Sequence, residues 1–180
     1  MLQAALHLLV KNGFHGTPTS KIAAQAGVSN GTLFHYYKTK DELVIALYNE
    51  IKAEMASYLF AQINEHDNLE AKFKKSFIHS LYWALDNQEK FYYVQQFHFS
   101  PHLAKISPQV VEQQSSFHRQ LITKGIQAKV LKPLPVDLLF TLVSSHVYGL
   151  YQYLSTADSV ARPQAVIEQG VNLLWNMIKV

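Results

Sequence analysis

The sequence predicts an all-α protein, and three observations carry that reading. Apolar residues recur at spacings of three and four along almost the whole chain, with few of the alternating runs that make half-buried strands. Helix-stop signals separate these stretches, most clearly at Thr17-Pro18, Ser100-Pro101 and Lys132-Pro133-Leu134-Pro135, because proline cannot continue a helix interior. A hydrophobic content of 48% against a charged content of 16% excludes a disordered chain. At 180 residues the chain can bury one sizeable core, or a small domain sharing a core with a larger one. It contains no internal repeat and no low-complexity linker.

The first helix is expected from Leu2 to Asn12, with Ala5, Leu6, Leu9 and Val10 turned inward. The stretch from Thr17 to Lys40, TPTSKIAAQAGVSNGTLFHYYKTK, reads as two short helices joined by a tight glycine turn. Thr17 is expected to cap the first of the two through its hydroxyl, with Pro18 at the first helical position, where a missing N–H costs nothing. Ile22, Ala23 and Ala26 make its inner face, and Ala23 is small enough for a second helix to cross closely. Gly27 supplies the positive φ of a sharp turn, Val28 plugs the core below it, and Ser29 caps the next helix. Leu33 and Tyr37 point inward, which leaves Asn30, Thr32, His35 and Tyr36 outside. Side chains of this kind reach base edges and phosphates, so the geometry expected is a helix-turn-helix whose second helix enters a DNA major groove.

Asp41 is expected to cap a long connecting helix with Leu43, Leu47, Ile51, Met55 and Leu59 four residues apart. Further helices are expected at Leu69 to Asp86, Gln88 to Phe99, Pro108 to Val130, Val136 to Leu154 and Arg162 to Lys179, with a polar break from Ser155 to Ala161 between the last two. The stretch Leu138 to Leu154 has no charged residue, but its Thr, Ser, His, Gln and Gly content argues against a membrane span. Val166, Ile167, Val171, Leu174, Trp175 and Ile178 wrap more than one face of the last helix. Two such helices ending a chain suggest a dimer interface.

Charge is uneven. Residues 1–40 hold Lys11, Lys21, Lys38 and Lys40 and no acid, so a net charge of +3 leaves the remainder close to neutral, at −1. That suits a protein presenting one end to a polyanion. The absence of cysteine excludes disulfides and zinc-thiolate sites, and no secretory signal is read at the N-terminus. His98 and His102 are four apart but straddle Pro101, and Ser115, Ser116 and His118 lack a nucleophile turn. No metal site, cofactor or enzymatic activity is expected.

The segment IAAQAGVSNGTLFHYYKTKDEL closely resembles the DNA-binding region of the TetR (tetracycline-repressor-like) family of bacterial transcription regulators. It carries the family's Ala-Gly-Val-Ser and Gly-Thr-Leu-aromatic runs and the Lys-x-Lys-x-x-Leu close, with Phe34 where tyrosine is common. The resemblance implies an N-terminal three-helix head, residues 1–45, and a larger ligand-binding and dimerisation body, residues 46–180. It also implies DNA contacts at Thr19, Ser29, Asn30, Gly31, Thr32, His35, Tyr36 and Lys40. Family members often carry a basic arm ahead of the first helix. This sequence opens directly in the helix, so no arm contacts are assigned.

The resemblance further implies a homodimer through the last two helices and a pocket for a small, often hydrophobic effector in the aromatic middle of the chain; a cytoplasmic location is expected, compatible with the absence of cysteine. The pocket residues expected are Tyr82, Phe97, His98, Tyr148 and Tyr151, with a neutral or weakly polar ligand favoured by the scarcity of charge nearby. The function expected is that of a ligand-responsive regulator, a repressor released from a near-palindromic operator. The alternative is a DNA-binding adaptor of the same fold whose body docks a protein.

Overall fold

A computed structural model describes residues 1–156 and 163–180. Among them are nine α-helices: α1 (Leu2–Asn12), α2 (Thr19–Gln25), α3 (Asn30–Tyr36), α4 (Lys40–Gln62), α5 (Leu69–Asp86), α6 (Gln88–His98), α7 (Pro108–Gln127), α8 (Val136–Thr156) and α9 (Pro163–Ile178). A single 3-10 turn, Leu103–Lys105, follows α6. An isolated antiparallel bridge joins Leu131 to Lys179. Part of the expected polar break before α9, and the expected helix start at Arg162, lie outside the described residues.

The helices group into two compact units. The first holds Met1–Glu54 and Asn87–Val111, the second Met55–Asp86 and Glu112–Val180. In the first unit α1 lies against α2 and α6, and α2 against α3. Its core is built by Leu6, Leu9, Ile22, Leu33, Leu43, Val44, Tyr48, Ile51, Tyr93 and Phe97, each at most 2% exposed. In the second unit α5, α8 and α9 pack on one another, burying Phe77, Leu81, Trp83, Leu139, Ile167, Leu174 and Ile178.

Two local expectations are corrected. Thr17 does not cap α2. It is fully buried, and its hydroxyl instead donates toward the carbonyls of Leu8 at 3.0 Å and Gly13 at 2.8 Å, tying the turn to α1. Pro18 takes the capping position, with its carbonyl accepting the first helical bonds. Asp41 does not cap α4 either. Thr39 does: its hydroxyl accepts from the Glu42 N–H at 3.1 Å, while the Glu42 carboxylate reaches back to the Lys38 N–H at 2.7 Å, a near relative of the reciprocal capping box. Asp41 is left free to pair elsewhere.

No helix among the described residues is long and apolar enough to cross a membrane. α8 buries Leu139, Val147 and Tyr151. Its other sides hold Leu138 at 44% and Tyr153 at 56% exposure, and α9 likewise exposes Leu173 at 67% and Met177 at 44%.

Candidate nucleic-acid interface and effector site

The turn between α2 and α3 is fixed by backbone chemistry. Gly27 has φ +68°, and a Cβ there would meet no atom within 4 Å, so the requirement for glycine is conformational rather than steric. The Val28 N–H closes the turn onto the Ala23 carbonyl at 3.0 Å. Ser29 caps α3 as expected: its hydroxyl accepts from the Thr32 N–H at 3.0 Å and lies 2.9 Å from the Thr32 hydroxyl. Leu33 anchors the helix at 0% exposure, and one anchor on a seven-residue helix sets the opposite face outward.

That outward face carries Asn30, Gly31, Thr32, His35 and Tyr36, all exposed; Tyr36 is 65% exposed and braced edge-on by the His35 ring at 5.6 Å. Thr19, half-buried, opens α2. Lys40 opens α4 and has an internal partner: its ammonium donates to the Phe14 carbonyl, and burial draws its pKa down. Phe14 in turn sits edge-on to Tyr93 at 5.6 Å and to His102 at 5.1 Å. Lys40 therefore ties the start of α4 to the end of α1 in the free protein. The fixed scaffold and its polar face define a helix-turn-helix DNA-binding unit in an all-α chain.

Residues 1–47 match the family profile described as bacterial regulatory proteins, tetR family, and residues 48–180 match that of the tetracyclin repressor-like C-terminal domain. The chain belongs to the TetR family of DNA-binding transcription regulators, whose members dimerise and are not enzymes. It is similar to the fatty acid metabolism regulator protein of Bacillus subtilis, at 33% identity over 85 residues, covering 47% of this chain and 43% of that protein. The matched stretches span less than half the length of these curated relatives. Among solved structures, a Shewanella sp. PV-4 protein assigned to the tetR family superposes with TM-score 0.92 at 28% identity, covering 99% of this chain and 96% of that one. The fatty acid degradation regulator FadR from Bacillus halodurans shares the fold, with TM-score 0.77 at 22% identity over 97% of this chain and 92% of that one.

The five aromatic and histidine positions expected at an effector pocket fall in two groups. Phe97 and His98 belong to the first unit; Tyr82, Tyr148 and Tyr151 belong to the second. Phe97 is fully buried, stacked on Tyr48 with ring centroids 4.0 Å apart, and His98 stands edge-on to Tyr48 at 5.9 Å. In the second unit Tyr151 is 8% exposed, and burial, followed by the nearby Tyr148, pushes its pKa up. Tyr148 accepts from Gln152 at 3.0 Å, and Tyr82 meets the His79 ring edge-on at 5.9 Å.

Three further arrangements are visible only in the fold. His79 sits between the rings of Tyr58 and Tyr82, with its pKa lowered by burial and then by Lys75. Asp41 holds Lys105 at 2.5 Å and the buried His102 at 3.0 Å, the latter angled off a straight hydrogen bond. Lys105, by hydrogen bonding, does most to keep the Asp41 carboxyl below its usual range. Lys52 stands one turn beyond Tyr48 on α4, and burial lowers its pKa. Among the described residues no group of three or more His, Asp or Glu is placed to hold a metal ion. Ser115 and Ser116 are engaged structurally: Ser115 accepts from Arg119 at 3.0 Å, and Ser116 donates to the Gln113 carbonyl at 2.8 Å.

Proposed function

We propose that this regulator is a cytoplasmic homodimeric repressor, released from a near-palindromic operator by a small hydrophobic effector. In this reading residues 1–45 read DNA, and residues 46–180 bind the effector and dimerise. Asn30, Gly31, Thr32, His35 and Tyr36 meet the major groove, while Thr19, Ser29 and Lys40 meet the backbone. The single observation that carries the DNA reading is the outward polar face of α3, held by the Gly27 turn, the Ser29 cap and the Leu33 anchor. Paired heads must sit about 34–36 Å apart, or a multiple of that, to enter successive major grooves.

The exposed apolar residues Leu138, Tyr153, Leu173 and Met177 support a dimer through α8 and α9. Two relatives named for fatty acid metabolism and fatty acid degradation support an effector with an aliphatic chain. An effector can shift the heads only by binding the released state better than the DNA-bound state. The test is a DNA sequence selected from a random pool by the purified protein, then titrated with and without aliphatic compounds. Tyr36→Ala should weaken binding about tenfold or more while leaving the dimer intact. Equal operator affinity across a broad aliphatic series would remove the switch and leave the DNA-binding protein.

A further inference from the structure

We infer that Asp41, clasped by Lys105 and His102, is a positioning residue for DNA recognition. The turn after α6 holds the first turn of α4, and with it Lys40 and α3, at the bearing that fits the operator. This rests on the DNA-contact reading above and adds to it a residue that acts without touching DNA.

Three points along one face of α4 are tied to neighbouring elements of the first unit. Asp41, Val44 and Tyr48 stand at i, i+3 and i+7, spacings that share a helix face. The Val44 carbonyl accepts from the buried Tyr93 hydroxyl at 2.8 Å, and Tyr48 stacks on Phe97 with ring centroids 4.0 Å apart. Asp41 is the outermost of the three. One of its carboxylate oxygens accepts from Lys105 at 2.5 Å, and the other lies 3.0 Å from Nδ1 of His102. Both partners come from one short turn that is itself braced. The Ser100 hydroxyl donates to the Phe97 carbonyl at 2.8 Å and accepts from the His102 N–H at 3.3 Å. The Lys105 N–H donates to the His102 carbonyl at 3.0 Å. The His102 ring is buried, edge-on to Phe14 at 5.1 Å, and Phe14 supplies the carbonyl that receives the Lys40 ammonium. Lys40, Asp41, His102 and Phe14 thus close a ring that joins the start of α4, the turn after α6 and the chain just past α1.

The elements that read DNA hang from this ring. Lys40 belongs to it. α3 ends at Tyr36, and the short link onward to α4 is fixed by the Thr39 cap and by the Glu42 carboxylate on the Lys38 N–H. A rotation of the first turn of α4 therefore carries α3 with it. Stability alone does not account for the clasp. The Asp41 and Lys105 side chains are 42% and 47% exposed, and ion pairs so open to water add little to stability. An acid in the first turn suits the helix dipole, but that role needs no partner in a distant turn, and Glu42 also fills it. Under the DNA reading Asp41 brings a negative charge beside a lysine that meets phosphate, which by itself weakens binding. Its favourable contribution is therefore geometric.

The experiment compares the full-length protein with Asp41→Ala, Lys105→Met and the double variant. Each is titrated by anisotropy, at one salt concentration, against the selected operator and against an unrelated duplex of equal length. Melting temperatures are recorded alongside. Loss of a carboxylate near DNA should hold or raise affinity for the unrelated duplex. Asp41→Ala should nevertheless weaken operator binding, so that the ratio of operator to unrelated affinity falls about threefold to tenfold. Lys105→Met should lower the ratio similarly, and the double variant should fall no further than the single changes, because both break one clasp. Partial unfolding lowers both affinities by the same factor and cancels in the ratio. A ratio unchanged or raised in Asp41→Ala overturns the positioning role, and so do single effects that add in the double variant; in both cases the DNA-contact reading stands. Should Asp41→Ala fail to fold, Lys105→Met decides on its own, and an unchanged ratio there overturns the proposal. If the wild-type protein selects no sequence, the DNA-contact reading falls and the positioning role falls with it.

Discussion

Replacing Gly31 by alanine should move stability and DNA affinity in opposite directions. Gly31 is the second residue of α3, and a Cβ built there meets only the Ser29 hydroxyl oxygen, at 3.6 Å, an ordinary contact. The free protein therefore has room for the methyl group. Alanine is favoured over glycine by about 1 kcal/mol in a helix interior, and roughly half of that is a fair expectation so near the start. In a chain of this size that corresponds to a rise in melting temperature of about 1–2 °C. At a DNA surface the same methyl group occupies the space through which the backbone of α3 would approach the duplex. Overpacking of a close contact costs about 1–3 kcal/mol, or roughly a tenfold loss of operator affinity. No charge is removed, so the salt dependence of binding should not change. Thermal unfolding followed by circular dichroism, and anisotropy titration on the selected operator at several salt concentrations, read the two effects separately. A stabilised variant with undiminished affinity would refute the placement of Gly31 against DNA and require α3 to dock by another face.

Three further outcomes are expected. Leu173→Glu puts a carboxylate on the outer side of α9, where the side chain is 67% exposed; if α9 lies in the dimer, an unpaired buried charge costs about 3 kcal/mol or more, and sedimentation should show monomer with unchanged helicity. Tyr93→Phe removes a buried hydrogen bond of 2.8 Å to the Val44 carbonyl, which should cost about 1 kcal/mol and about 3 °C in melting temperature. The fold should also lose stability in mild acid. Burial is the leading cause that holds the pKa of His79, His98 and His102 below the ordinary 6.5. The unfolded chain therefore takes up protons that the folded protein refuses as the pH falls below 6.5. Their contribution is complete above that value and is lost as the pH descends toward the folded values. Denaturant midpoints should drop between neutral pH and mild acid, and a flat profile would show that these rings are open to water in solution.

What the sequence disclosed and what it hid divide along the reach of the interactions. α1 and α5 begin and end where periodicity places them, and Gly27, Ser29 and Leu33 do what their types and spacing demand, because each of those signals is settled within a few residues. Thr17 was misread because a threonine before a helix can accept a bond as a cap or donate one inward. The choice was made by the Leu8 carbonyl, nine residues upstream. Asp41 was misread for the same reason at longer range: its partner Lys105 is 64 residues away, while Thr39 next door already had the cap.

The effector region was the least legible part. Aromatic composition marks a segment of chain, whereas a binding wall is an arrangement of side chains in space, and the five expected residues divide between the two units. Lys52 marks a second limit of composition. A lone lysine on a helix reads as a solvated charge, and nothing in its own neighbourhood of sequence contradicts that, whereas in the fold it is half-buried and burial lowers its pKa.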